Sequence, residues 1–234
     1  MKSKNGLAIA LVCCVAGTAG ANSAKAFCDT FTADSGNNTI IIAQRSAFSD
    51  GMYIPTGQVA ICWKDSGGTW HAVNTSCDLN DSQNLLVYAG GGDDTLAPAA
   101  TSASASSCGG SMLFGFDPGF FTFGVTAVMQ GGYDHAYGTV NADELDSNGT
   151  FGSPGTDYAI DYLCGYGGDD WLGGDGDNSW NYYEYMNGGS GSDGCDGHDG
   201  SNTYDYYTSS CESHWASGLT SSDYCGTAPP NLWP

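Results

Sequence analysis

The hydrophobic positions of this chain fall in short runs, broken every few residues by glycine, acids or other turn formers. In residues 27–80, "TIIIAQ", "QVAICWK" and "TWHAV" lie between "DSGNN", "SDG", "PTG" and "DSGG". β-Branched and aromatic runs bounded in this way predict strands. "MLFGFDPGFFTFGVTAVM" is apolar but interrupted by Gly115, Pro118, Gly119 and Gly124, which predicts two short buried strands with a turn at "DPG". "APAATSASASSCGGS" (97–111) is small and polar and reads as a surface loop and a candidate boundary. From Ser147 to Tyr207 a glycine-and-acid rhythm dominates. Helical periodicity is missing throughout, so the expected fold is all-β.

The N-terminus follows a different pattern. "MKSKNG" is basic, "LAIALVCCVAGTAGA" apolar, and "AKA" a small-residue cleavage site, so residues 1–26 read as a signal peptide ending at Ala26. A spanning helix needs about 20 clean apolar residues, and this run is broken by Gly17 and Gly20. A lipoprotein signal at Cys13 or Cys14 is the alternative, disfavoured by the bulky residues before both. The mature chain is expected to be secreted or at the surface of a bacterial cell, with the periplasm in the same class, and without a transmembrane segment.

Charge narrows the partners. The whole chain has 26 acids, 5 bases and a net charge of −21; loss of Lys2, Lys4 and Lys25 leaves Arg45 and Lys64 and takes it to −24. Such a chain repels nucleic acid and anionic membranes and attracts cations. Disordered acidic chains are poor in aromatics and cysteine, unlike this one. Two of the 10 cysteines leave with the signal. The even remainder in an exported chain reads as disulfides, with near neighbours such as Cys62 and Cys77 as the expected partners. The rival reading is zinc, held by the two C-x-x-H pairs "CDGH" (Cys195, His198) and "CESH" (Cys211, His214).

The glycine-acid segments repeat. "GGSGSDGCD" (188–196) runs directly into "GHDGSNTYD" (197–205), "GGDGDNSWN" (173–181) has the same form, and "GYGGDDWL" (165–172) abuts it. Weaker copies are "SPGTDYAI" (153–160), "QGGYDHAYG" (130–138), "AGGGDDTLA" (89–97) and "DSGNNTIII" (35–43). Glycine permits positive φ, which lets backbone carbonyls converge on one centre, and an aspartate two residues later adds a charged oxygen. Hard cations take about six to eight such oxygens, and calcium tolerates irregular geometry. A short strand follows each turn, with Trp180, Cys195 and Tyr204 expected to turn inward, so stacked turns would form both a core and a column of ion sites. A series of glycine-aspartate loops that binds nothing is the plainer alternative.

This block resembles the hemolysin-type, or RTX, calcium-binding nonapeptide family, G-G-x-G-x-D-x-U-x with U a large apolar residue. "GGSGSDGCD" fits except for cysteine at U, and the neighbouring copies carry Asn178 and Asn202 at the acid position. The resemblance implies a short parallel β-roll, or β-helix, with calcium between turns. Carried over by position, the ligands are Asp170, Asn178, Asp193 and Asn202, with backbone from Gly165, Gly167, Gly174, Gly176, Gly189 and Gly191; Asp94 with Gly92 and Asp157 with Gly155 rank second. The chain departs from the pattern at the two asparagines, at the insertion "YYEYM" (182–186), and in having a signal peptide and many cysteines.

The expected organisation is therefore a signal peptide (1–26), a β region with degenerate repeats (27–150), an RTX-like calcium-binding roll (151–210) and a tail (211–234) packing through Cys225 and its aromatics. H-E-x-x-H and G-x-S-x-G are absent, and "GSGSDG" (189–194) is explained by the nonapeptide rather than by nucleotide binding. The tyrosines around residues 182–207 read first as strand packing and second as a sugar-stacking surface. The expected function is calcium-dependent structure or adhesion, with a cell-surface polysaccharide or another surface protein as partner. The alternative is a secreted hydrolase with its catalytic part in residues 27–150.

Overall fold

The computed structural model describes residues 26–99, 106–115, 122–147, 149–150, 153–154, 159–174, 183–197, 205–214, 218–220 and 224–233. Residues 1–25, the "DPG" segment, Trp180 and Tyr204 lie outside them. Among the described residues there are strands and no helix. None is therefore a helix long and apolar enough to cross a membrane.

The chain begins with β1 (Phe27–Thr32), β2 (Thr39–Ser49), β3 (Met52–Lys64), β4 (Trp70–Asp78), β5 (Asn84–Tyr88) and β6 (Thr95–Pro98). It continues through β7 (Ser106–Cys108), β8 (Ser111–Phe114), β9 (Val125–Val128), β10 (His135–Tyr137), β11 (Glu144–Asp146), β12 (Gly149–Thr150) and β13 (Ser153–Pro154). The last strands are β14 (Tyr162–Cys164), β15 (Trp171–Gly173), β16 (Tyr185–Asn187), β17 (Gly194–Asp196), β18 (Asp205–Tyr207), β19 (Ser213–His214) and β20 (Gly218–Thr220). One sheet has the order β1-β5-β9-β11-β15-β17-β19, and the other β20-β18-β16-β14-β10-β6-β2-β3-β4. Apart from the antiparallel excursions at β3–β4 and β7–β8 and the separate pair β12–β13, successive strands alternate between two parallel sheets.

Most of these strands are only three or four residues long, so a period of two leaves one side chain per strand pointing in. Those side chains form two rows. Phe31, Val87, Ala127, Leu145, Leu172 and Cys195 are in register along the first sheet, and Ile40, Leu96, Ala136, Leu163, Met186 and Tyr207 along the second. All twelve belong to one buried cluster. Each large apolar side chain contributes about 1.5–3 kcal/mol on burial. Ordering costs about 1–2 kcal/mol for every residue fixed, and each coil includes long connections, so other ties between coils are required.

A second apolar cluster lies on β2, β3, β6 and the β7–β8 hairpin: Ile41, Ala43, Ala60, Cys62, Ala99, Cys108 and Leu113. Leu232 and Trp233 from the C-terminal tail pack against it. The tail therefore runs back from the last coils toward the first, and Leu232 packs there alongside the aromatic Trp233. The segment 97–111 is not a plain loop: Thr95–Pro98 completes a sheet strand, and Ser106–Cys108 pairs with Ser111–Phe114. The sheets also run without a break across residue 150.

Four disulfides join Cys28–Cys77, Cys62–Cys108, Cys164–Cys225 and Cys195–Cys211. Disulfides in this number belong to an oxidising environment. The expected Cys62–Cys77 pair is wrong. Cys62 on β3 is bonded to Cys108 at the end of β7, in the hairpin whose second strand, β8, pairs with β2, whereas Cys77 on β4 is bonded to Cys28 on β1. Cys195 and Cys211 are bonded to each other, which removes both from any zinc site; His198 lies outside the described residues.

Peptide mapping of the mature protein without reduction should return these four pairs and no alkylated cysteine. A Cys62–Cys77 peptide, or two free thiols, would contradict the strand order described above.

Candidate functional site

The turns that lead into the strands share one backbone pattern. Residues four and two positions before an aspartate have positive φ: Gly90 (96°) and Gly92 (107°) before Asp94, Gln130 (82°) and Gly132 (133°) before Asp134, Tyr166 (70°) and Gly168 (101°) before Asp170, and Gly189 (96°) and Gly191 (150°) before Asp193. Glycine takes this conformation without strain, whereas Gln130 and Tyr166 do so at a cost of about 1–2 kcal/mol. The inner glycine also has no room for a side chain. A Cβ on Gly92 would lie 2.7 Å from the Gly36 carbonyl carbon, and one on Gly132 or Gly191 would collide with the carbonyl of Gly92 or Gly168. The turns thus stack in backbone contact, tied by Gly92 N–H to Gly131 O (2.6 Å) and Gly168 N–H to Ser190 O (2.9 Å).

This stacking lines up the acids. Ahead of the second sheet, Asn38 N–H donates to Asp94 Oδ1 (2.6 Å), Asp94 N–H to Asp134 Oδ1 (2.7 Å), Asp134 N–H to Asp161 Oδ1 (2.7 Å) and Glu184 N–H to Asp205 Oδ1 (3.2 Å). Ahead of the first sheet, Val125 N–H donates to Asp143 Oδ1 (2.6 Å), Asp143 N–H to Asp170 Oδ1 (2.8 Å), Asp170 N–H to Asp193 Oδ1 (2.9 Å) and Asp193 N–H to Glu212 Oε2 (2.8 Å). Asp94, Asp134, Asp143, Asp161, Asp170, Glu184, Asp193 and Asp205 are each no more than 3 % exposed. The sequence beyond Lys64 contains no lysine or arginine.

One carboxylate oxygen of each of the seven aspartates thus accepts a backbone N–H. The other Oδ of Asp94, Asp170 and Asp193 is buried without a hydrogen-bond donor. Around Gly165, the Asp170 Oδ2 and the Gly188 carbonyl oxygen both occupy space that a Cβ would fill. Around Gly138, Asp143 Oδ2 and the Gly165 carbonyl oxygen do the same, at 2.5 and 2.8 Å from the Cβ position. There Asp143 Oδ2 accepts from Thr139 N–H (2.5 Å) and its hydroxyl (3.1 Å). At Asp170 a carboxylate oxygen instead faces the carbonyl oxygen of the next coil with no donor between them. Burial, reinforced by the charges of Asp143 and Asp193, pushes Asp170 up to about 9. Burial raises Asp94 to about 7, with the Asn38 hydrogen bonds opposing the shift and Asp34 and Asp93 adding to it. Asp193 is also raised, by burial and by Glu212. The site calls for a proton or a cation at each orphaned oxygen.

A hard cation fits this donor set, in which carboxylate oxygens alternate with glycine carbonyls. Among the described residues, the only group of three or more potential side-chain ligands within 4.8 Å of one another is Cys28, Cys77 and Asp81, and those cysteines are disulfide-bonded. An ion in the ladders would therefore draw most of its ligands from backbone and water.

Of the residues expected from sequence, Asp170 and Asp193 are in the first-sheet ladder and Asp94 is in the second. Gly189 and Gly191 have the positive φ required of them, and Gly165 lies against Asp170. Gly167 forms an isolated parallel bridge with Ser190, and Gly168, two residues before Asp170, has the positive φ of Gly92, Gly132 and Gly191. Gly174 lies beside the Glu184 carboxylate, 2.8 Å from Oε2 at its Cβ position. Gly176, Asn178, Asn202, Gly155 and Asp157 lie outside the described residues. The ladder positions of their coils are filled by Glu184, Asp205 and Asp161. "YYEYM" is thus not an interruption, because Glu184 joins the ladder and Met186 the core row. Asp134 sits in a segment with the right spacing, but no glycine marks Asp143.

The position after each of the last four acids of the second-sheet ladder, Asp134, Asp161, Glu184 and Asp205, carries a ring. His135, Tyr162, Tyr185 and Tyr206 stack at 4.6, 4.8 and 5.0 Å between centroids, and Tyr224 from the tail lies 4.4 Å from Tyr185. The faces a sugar would use are turned on one another.

No protein-family model matches the chain, and no curated protein or solved structure is significantly similar to it.

Two outcomes test this geometry. Gly165→Ala, which drives a methyl into Asp170 Oδ2 and the Gly188 carbonyl, should destabilise the protein by about 1–3 kcal/mol. Gly91→Ala, with its nearest neighbour at 3.9 Å, should be close to neutral in the same denaturant titration. Asp94 and Asp170 bind their protons more tightly when folded than at the unfolded value of roughly 4. The stability they contribute is complete below that value and is lost as pH rises through about 7 and about 9. With cations chelated, the melting temperature should therefore fall as pH rises across this window; a flat or rising profile would refute the buried ladders.

Proposed function

We propose that this is an exported calcium-binding protein with a structural or adhesive role, its alternating parallel strands forming an RTX-like β-roll whose coils are held together by calcium. The observation that carries this reading is the orphaned, buried Oδ2 of Asp94, Asp170 and Asp193 in a segment without a basic side chain. Calcium bound there would neutralise the carboxylates and bridge neighbouring coils through carbonyl oxygens. Stacking the acids in register serves no folding purpose by itself, since each buried carboxylate is costly without a counter-charge. A cation that completes the ladder makes the same arrangement cohesive. The stacked outer tyrosines, with their faces covered, favour a protein partner over a polysaccharide at that surface.

Asp170→Asn separates this reading from a purely protonated ladder. Its amide would keep an oxygen for the Asp143 N–H and turn an N–H₂ toward the Gly188 carbonyl. In chelator at alkaline pH the variant should be more stable than wild type by about 1–3 kcal/mol, the cost of an unsatisfied buried acceptor. In calcium at about a thousandfold excess over the dissociation constant the order should reverse, because an occupied site then contributes about 4.1 kcal/mol. Calorimetric titration should show fewer calcium equivalents for the variant, and Asp193→Asn should behave alike. If calcium leaves wild-type stability unchanged, or if the order of the two proteins does not cross, calcium is not the glue.

A further inference from the structure

We propose that Asn38 is a built-in substitute for the cation, so that the first coil closes without calcium and the ion-dependent ladder begins only at Asp94. This inference rests on the calcium reading above. Asn38 occupies the ladder position one residue before β2, is buried, and passes its own N–H to Asp94 Oδ1 at 2.6 Å as the acids do. Its side chain differs in kind. The Nδ2 donates to the carbonyl oxygens of Asp34 (3.1 Å), Gly36 and Ala89 (3.3 Å). Two of these carbonyls belong to its own turn and the third to the next coil.

The third carbonyl makes the comparison exact in topology. Ala89 lies five residues before the next ladder acid, Asp94, just as Gly188 lies five before Asp193. In the first coil the distal atom of the ladder side chain meets that carbonyl as a donor. At Asp170 it shares the space around Gly165 with that carbonyl as an oxygen. A bridge between one turn and the next is what a bound cation would supply, and here two amide hydrogens supply it without charge. The reverse amide orientation would set Oδ1 against three carbonyl oxygens, so the donor assignment follows from the surroundings.

The rest of the first turn is closed by protein donors too. Asp34 accepts from Gly36 N–H (3.1 Å), Ser66 N–H (3.2 Å) and the Ser66 hydroxyl (2.8 Å), which pins the turn to the β3–β4 connection. Cys28–Cys77 fastens the same end. Asp34 and Gly36 stay outside the left-handed region that Gly90 and Gly92 adopt. The chain thus carries a preformed, ion-independent first coil that offers Ala89 and Asp94 their partners. In this arrangement calcium regulates the later coils rather than the whole fold.

Asn38→Asp tests this in the full chain, with calcium alone as the probe. The variant should melt lower than wild type in chelator, regain wild-type stability in saturating calcium, and bind one more calcium equivalent by calorimetry. Asn38→Ala, which removes the donors without adding charge, should melt lower in both conditions and bind no extra ion. The inference is overturned if Asn38→Asp loses as much stability with calcium as without it, or binds no additional equivalent while wild type binds several. If Asn38→Asp does not fold in chelator, refolding on calcium addition supports the inference, and failure to refold while Asn38→Ala folds overturns it. A wild type that binds no calcium overturns the calcium reading itself, a result visible in the wild-type isotherm alone.

Discussion

Two ladders of buried carboxylates, in a sequence with no lysine or arginine beyond Lys64, are the constraint on which the rest of this structure depends. Eight acids are removed from water in two ladders, and each transfer is unfavourable unless charge is neutralised. Hydrogen bonding to backbone N–H groups satisfies one oxygen of each of the seven aspartates in the ladders. It also passes the register from coil to coil, since each acid reads the strand start of its neighbour. The second oxygen is where the ladders differ. Asp143 draws on Thr139, the first coil has Asn38 in place of an acid, and the second oxygen of Asp94, Asp170 and Asp193 is buried without a hydrogen-bond donor.

The glycines and the apolar rows are consequences of that spacing. Coils that share carboxylate-to-backbone bonds must stack in backbone contact, which leaves no volume for a side chain at Gly92, Gly132, Gly168 or Gly191. Strands this short give one inward residue per sheet and coil, so the core is two narrow rows rather than a broad layer. Such a core cannot hold long connections in place alone. Covalent ties compensate at both ends: Cys28–Cys77 joins β1 to β4, while Cys195–Cys211 and Cys164–Cys225 secure the last coils and the tail. The tail then covers the apolar cluster around Ile41 and Leu113 with Leu232 and Trp233. Exchange of the last coils with solvent is limited by these links even where the ladders are weak.

Much of this was legible in residue order. The strands "TIIIAQ", "QVAICWK" and "TWHAV" appear where their β-branched and aromatic content places them, and the even cysteine count matches four disulfides. Asp94, Asp170 and Asp193 could be found because a Gly-x-Asp turn carries its own local signal. Asp143 could not, since Thr139–Asp143 contains no glycine and its turn is closed by a threonine instead. Glu184 and Asp205 were hidden behind a nine-residue alignment that places the acid at Asn178 and Asn202. Successive acids of the first-sheet ladder are 27, 23 and 19 residues apart, so no fixed period describes the coils.

The sequence by itself determined the class of structure: short strands, turns that need positive φ, an even set of cysteines and a large excess of negative charge. Those properties depend on residue type and near-neighbour order, where steric and propensity effects act. Only the tertiary structure decided which acids share a ladder, which cysteines meet, and that an asparagine holds the ladder position of the first coil. Each of those outcomes depends on which coil lies next in space. Loop lengths vary from coil to coil, and it is backbone hydrogen bonding between parallel strands, with burial of one apolar residue per strand, that selects the register.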